Sequence, residues 1–209
     1  MAGPFGAEPV AVVIAAPTAE AFLRLLARAE RAARIAELRL DSLPSVAEVV
    51  RVLARLARRR PKLTLIATCR PANSGASLGD GFTSSAAARV ALLRLAAQAG
   101  CAWVDVEAET LKNFPPALRQ AMLRLPRGVR RIVSCHDFQR TPARLDTIYR
   151  RAARLGGDLV KLAVTARCQR DNLAVLQLAR RHRRRVIALA MGTAGIPSRL
   201  LGLRAGSAL

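Results

Sequence analysis

The sequence predicts an α/β fold, a (β/α)8 TIM barrel, as a single domain over 209 residues. Three observations carry that prediction. Short runs rich in Val, Ile and Leu recur at roughly 27-residue intervals, with stretches of helical spacing between them, which is the alternation of a parallel α/β sheet. The runs number eight, which favours a closed barrel over an open doubly wound sheet. The length lies near the lower limit of about 200 residues for such barrels.

In chain order the strand candidates are Val10–Ala16, Ile35–Asp41, Lys62–Cys69, Ala102–Glu109, Arg131–Asp137, Asp158–Thr165, Arg185–Gly192 and Ala205–Leu209. The helical pattern is plainest in Ser45–Arg59, where Val46, Val49, Val50, Leu53, Leu56 and Ala57 fall on one face. Pro17, Pro44 and Pro142 precede three helices, at positions suited to a first turn. The third interval is longer than the rest because Pro71–Thr83, rich in Gly, Ser, Asn and Asp, reads as a long loop. The last strand has no eighth helix behind it, so the barrel is expected to be cut short at its C-terminus or to belong to a longer chain.

Composition narrows the function classes. A 52% hydrophobic chain can bury a core and is no disordered tail. The balance of 35 Lys+Arg against 14 Asp+Glu, a formal +21, invites a nucleic-acid reading. Only Lys62, Lys112 and Lys161 are lysines, so the excess is arginine and fits solvated helix faces in an arginine-preferring chain. Aromatic residues at 3% leave few platforms on which bases could stack, which argues against nucleic acid as the partner. No apolar run reaches the ~18–20 residues of a membrane-spanning helix, and the N-terminus lacks the basic start and apolar stretch of a signal peptide. A cytoplasmic location is expected. Cys69, Cys101, Cys135 and Cys168 show neither zinc spacing nor a disulfide framework, and the first three read as reduced core thiols.

In a barrel, chemistry gathers at the C-terminal ends of the strands. The second strand carries Glu37, Arg39 and Asp41 at alternate positions, hence on one face, where three charges must pair with each other or with a ligand. The third strand brings Arg70 to its end. The fourth alternates Asp105, Glu107 and Glu109, acids that either pair with the arginines or hold another polar group in place. The fifth ends in Ser134-Cys135-His136-Asp137, which puts an imidazole at a strand end, suited to moving protons. His182, within Arg180-Arg181-His182-Arg183, reads as surface.

The sixth strand is the most informative. Lys161 sits among Val, Leu and Ala in a chain that almost never uses lysine. Desolvation and nearby arginines favour a neutral amine that can attack a carbonyl carbon; a structural ion pair with Asp105 or Glu107 is the alternative. The seventh strand leads through Met191, Gly192 and Gly195 to Ser198 and Arg199, a further cation. Rim arginines beside one amine point to a small anionic carbonyl substrate, an iminium at Lys161 and proton transfer by His136. Elimination, aldol cleavage and isomerisation all remain open to such a site.

Taken together, Glu37-Leu-Arg39-Leu-Asp41, Thr68-Cys69-Arg70-Pro71, Val104-Asp105-Val106-Glu107, Ser134-Cys135-His136-Asp137-Phe138, Val160-Lys161-Leu162-Ala163 and Met191-Gly192…Gly195…Ser198-Arg199 resemble type I 3-dehydroquinate dehydratase, in family order from the second strand onward. The resemblance implies the shikimate-pathway dehydration of 3-dehydroquinate to 3-dehydroshikimate, a step in making aromatic amino acids. Lys161 would condense with the C3 ketone, and His136 would remove a C2 proton and protonate the departing C1 hydroxyl. Arg199 would hold the carboxylate, and Glu37, Arg39 and Arg70 the ring hydroxyls. The family pattern is metal-free, needs no cofactor and implies a homodimer; fusion to a shikimate dehydrogenase module is the other implied context.

The chain departs from that pattern twice. The family places a glutamate after the third-strand arginine to orient the histidine; Ser74 stands there instead, and Asp80 is the loop acid that could substitute. The family also continues past Leu209 into a lid loop and a last helix, so weak substrate affinity is expected here. A non-catalytic barrel or a basic nucleic-acid module is the competing class.

Overall fold

The computed structural model describes residues 4–5, 9–71 and 85–209. Seven parallel strands alternate with helices: β1 Ala11–Ile14, α1 Ala19–Ala32, β2 Ile35–Arg39, α2 Val46–Arg59, β3 Thr64–Thr68, α3 Ala86–Gln98, β4 Trp103–Glu107, α4 Ala108–Lys112, α5 Pro116–Leu123, β5 Arg130–Asp137, α6 Leu145–Ala153, β6 Leu159–Thr165, α7 Asp171–Arg181, β7 Val186–Met191 and α8 Ile196–Ala205. Short 3-10 turns follow β2 (Leu40–Ser42) and β7 (Thr193–Gly195). The chain divides into two compact units, Val10–Val106 with Thr110–Arg131, and Glu107–Glu109 with Ile132–Leu209 and the first nine residues.

In the first unit β1, β2, β3 and β4 are neighbours in order, with Val13 opposite Glu37, Arg39 opposite Thr68, and Thr68 opposite Asp105. Ile35, Leu38, Leu65 and Ile66 of the strands are buried with Phe22 and Leu26 of α1 and Val49, Val52, Leu53 and Leu56 of α2. On α2 the buried stripe is rotated from the expected one. Val52 is inside, while Val46 and Val50 are exposed. Both α1 and α2 begin at hydroxyl caps, Thr18 accepting from the Ala21 N–H and Ser45 from that of Glu48. Pro17 and Pro44 therefore stand one residue before the caps, not in the first turns; Pro142 likewise precedes the α6 cap at Arg144. Proline does occupy the first turns of α5 and α8.

In the second unit β5, β6 and β7 pair in order, with Ser134 opposite Lys161, His136 opposite Ala163, and Lys161 opposite Ile187. The expected strand at 205–209 does not form. Ala205 ends α8, and a left-handed Gly206 (φ 114°) turns the chain back. Ser207 and Ala208 then lie against β7: Ser207 Oγ accepts from the Ala188 N–H at 3.1 Å, and the Ala208 N–H donates to the Val186 carbonyl at 2.8 Å. Strands two and four also end early. Asp41 belongs to a turn that Ser42 Oγ closes by donating to the Arg39 carbonyl at 2.7 Å, and Glu109 lies on α4. The proposed loop is described only to Pro71, so Ser74 and Asp80 lie outside the described residues. No helix among the described residues is long and apolar enough to cross a membrane.

Candidate active site

Charge is concentrated at the C-terminal ends of the strands in each unit. In the first, Arg39 is buried and meets Asp41 through two parallel bonds, Nε to Oδ1 at 3.1 Å and Nη2 to Oδ2 at 2.7 Å. This fork on a carboxylate is the strong form of an ion pair. Burial opposes the charge on Arg39, but the hydrogen bonds and charge of Asp41, with Glu37 and Asp105 beyond, outweigh it and raise the guanidinium above its ordinary value. Glu37 accepts from Thr68 Oγ1 at 2.9 Å. Arg39, Thr68 and Asp105 are register partners across β2, β3 and β4, so they share one face. Arg70, two residues past β3, is also buried. The expectation that these inward charges pair among themselves holds for Arg39 and Asp41.

In the second unit the His136 side chain is 3% exposed, and its Nδ1 lies 3.4 Å from Oε1 of Glu107. Its ring stacks on Phe138 with centroids 5.7 Å apart and planes 6° from parallel. Lys161 is buried at the centre of β6, between β5 and β7. Ser134 and His136 are two apart on β5, and Ser134 is the register partner of Lys161. The two strands thus present Ser134, His136 and Lys161 on one face. Beyond His136, Asp137 uses Oδ1 to accept the N–H groups of Gln139 and Arg140, both at 2.9 Å, which ends β5 in a tight turn. Asp137 is thereby a turn residue.

Arg199 lies on α8, exposed, and donates to the Gly192 carbonyl at 3.3 Å. The turn that carries it is held from below. Ser198 is fully buried, its Oγ accepting from the Ala190 N–H and donating to the Gly195 carbonyl, both at 2.8 Å. Asn172 of α7 accepts from the Ser198 N–H at 3.0 Å and donates to the Ala194 carbonyl at 2.7 Å. Gly195 is required here because a Cβ would stand 2.3 Å from the Ala190 carbonyl oxygen.

Two features were not read from the sequence. The carboxylate at His136 is Glu107, which alternation placed on an inward face without saying which group it meets. His182 is no bystander: its Nε2 lies 2.7 Å from Asp146 Oδ1, and its ring stacks on Tyr149 with centroids 3.7 Å apart. The hydrogen bond from His182, with the charges of Arg150 and Arg181, holds the Asp146 carboxyl below its ordinary value although desolvation pulls the other way. None of the four cysteines forms a disulfide; Cys69 and Cys101 are buried, Cys135 half-buried and Cys168 exposed. Burial pushes the Cys101 thiol up to about 12.

Residues 10–209 match the family model for type I 3-dehydroquinase. The chain is 37% identical over 188 residues to the 3-dehydroquinate dehydratase of Klebsiella pneumoniae, covering 85% of this chain and 72% of that protein. Other curated relatives are matched over less: the chain spans about three fifths of their length. A solved type I 3-dehydroquinate dehydratase from Clostridium difficile, with covalently modified comenic acid, superposes with a TM-score of 0.79 at 25% identity, over 95% of this chain and 81% of that one. The dehydroquinate dehydratase and shikimate dehydrogenase of S. pombe AroM superposes with a TM-score of 0.68 at 23% identity, over 92% of this chain and 38% of that one. Seven parallel strands alternating with helices are the TIM-barrel-like architecture of these structures, in agreement with the fold read from the sequence. The chain belongs to the type I 3-dehydroquinase family.

Proposed function

We propose that this protein dehydrates 3-dehydroquinate to 3-dehydroshikimate through a Schiff base on Lys161, with His136 moving the protons. The observation that supports this most directly is a buried lysine in mid-strand sharing its face with a buried histidine. The Lys161 amine attacks the C3 ketone, water leaves, and the resulting iminium withdraws electrons from C2. His136 takes the C2 proton, the enamine pair expels the C1 hydroxyl, and the same imidazole protonates that hydroxyl as it leaves. Hydrolysis of the iminium then frees the product and the amine.

Glu107 favours this assignment by facing Nδ1, which leaves Nε2 as the nitrogen that meets substrate. Arg199 is the residue we assign to the substrate carboxylate. Glu37, Arg39 and Arg70 we assign to ring hydroxyls and local charge; Arg39 stays cationic throughout the working pH range because Asp41 sustains it. A homodimer in the cytoplasm, or a fusion with a shikimate dehydrogenase as the name of the S. pombe protein describes, is the proposed setting.

The deciding experiment is incubation with 3-dehydroquinate and sodium borohydride, followed by mass mapping. Reduction should fix one substrate-derived adduct on Lys161, and Lys161→Ala should lose both adduct and turnover. A folded protein with no adduct at Lys161 would overturn the proposal.

A further inference from the structure

Ser134 carries a hydroxyl that the described residues leave unused. It stands on β5, 1% exposed, and its Oγ meets no hydrogen-bond partner among the described residues. Other buried serines in this protein are occupied: Ser42 closes the turn after β2, Ser198 holds the turn before α8, and Ser207 ties the chain end to β7. A buried hydroxyl with no partner is a cost that alanine would remove, so its presence calls for a reason beyond the described residues. Its location supplies one. Ser134 is the register partner of Lys161 on the adjacent strand, about 4.8 Å across the sheet, and side chains at paired positions share a face. His136 follows two residues later on that face.

We propose that Ser134 is a third catalytic residue, whose hydroxyl donates a hydrogen bond to the oxygen that Lys161 displaces from the substrate ketone. The proposal rests on the Schiff-base reading above and specifies the step that reading leaves bare. The Lys161 nitrogen forms a bond to the carbonyl carbon as the C=O pair moves onto oxygen, and one proton passes from nitrogen to that oxygen. The carbinolamine hydroxyl then takes a second proton from the His136 imidazolium. Its C–O bond breaks, water departs, and the nitrogen lone pair closes the C=N bond. Ser134 keeps its own proton throughout. It stabilises the oxygen as charge builds on it and holds the departing water, and in the closing hydrolysis it orients the water that attacks. A preplaced donor of this kind acts where charge develops and needs no reorganisation.

The test compares wild type, Ser134→Ala and Ser134→Thr in rapid-quench borohydride trapping with 3-dehydroquinate, alongside thermal unfolding and the pH profile of kcat. The expected result is slower growth of the Lys161 adduct in Ser134→Ala by about a hundredfold to a thousandfold, the scale of one lost donor of this kind. Ser134→Thr, which keeps the hydroxyl, should recover part of the rate. The unfolding midpoint of Ser134→Ala should equal or exceed that of wild type, and its pH profile should keep its shape because His136 is untouched. An unchanged trapping rate in Ser134→Ala, or a slower rate accompanied by a lowered midpoint and a displaced pH profile in both variants, would overturn the role. If Ser134→Ala fails to fold, Ser134→Thr decides, since a spared trapping rate is expected and a wholly lost one refutes. Wild type that forms no Lys161 adduct at all would instead refute the Schiff-base reading itself.

Discussion

Replacing Asp41 by alanine would strand the guanidinium of Arg39 in the protein interior. Arg39 is 6% exposed and Asp41 3% exposed, and the two are joined by bonds of 3.1 and 2.7 Å. Breaking a buried pair by removing one partner costs about 3–5 kcal/mol, because the remaining charge keeps its desolvation penalty and loses its compensation. For a domain of 150–250 residues each kcal/mol moves the unfolding midpoint by about 2–4 °C, so Asp41→Ala should unfold about 6–20 °C below wild type. Replacing the pair together, as Arg39→Met with Asp41→Leu, should recover most of that loss, since well-packed apolar residues commonly match a buried ion pair. Calorimetry on Arg39→Met, Asp41→Leu and the double variant closes the cycle. A loss below about 1 kcal/mol in Asp41→Ala, the level of an exposed pair, would refute the reasoning. It would mean that Glu37 and Asp105, which also favour the Arg39 charge, sustain it without Asp41.

Glu107→Ala should lower kcat by about 10²–10⁴ while KM changes far less, the range of a compromised general acid–base, with Glu107→Gln recovering part; steady-state kinetics on both variants checks this. Asp146 is held below its ordinary 3.8 in the folded protein, so its contribution to stability is present above that value and is lost as pH falls through the lower folded one. Thermal unfolding of Asp146→Asn should accordingly lose midpoint at neutral pH and show a shallower decline than wild type below pH 3.8. A disulfide reagent should label Cys168 rapidly in the native protein and reach Cys69 and Cys101 only on unfolding, as mass mapping of the labelled peptides would show. Ser198→Ala removes two bonds of a fully buried hydroxyl and should cost about 1–3 kcal/mol in urea unfolding, with a raised KM if the turn it holds positions Arg199.

The strand centres and Lys161 were legible in the sequence for the same reason: burial between helices and sheet demands apolar runs, and a lysine inside one is conspicuous. The strand ends were not. Arg39 and Asp41 look like one continued alternation, but the bond from Ser42 to the Arg39 carbonyl turns the chain between them, and no local pattern announces that bond. Glu107 was placed on the correct face by its spacing from Asp105, yet its partner His136 lies on another strand, and a partner so distant in sequence leaves no periodic trace. His182 shows the same limit. Its arginine neighbours suggest open solvent, while Asp146 and Tyr149, which engage it, belong to an earlier helix. The prolines before α1 and α2 marked the helix starts to within two residues, because a serine or threonine between proline and helix holds the cap itself.

The placement of Lys161 has a practical consequence for anyone wishing to redirect this scaffold. Its backbone is laddered on both sides, to Ser134 on β5 and to Ile187 on β7, so the root of the amine is anchored by neighbours that cannot shift singly. If Lys161 carries the proposed Schiff base, a new ketone must be brought to an amine whose root is fixed. Selection for altered substrates would be best spent on the segments that follow the strands, leaving the three central strands of that unit untouched.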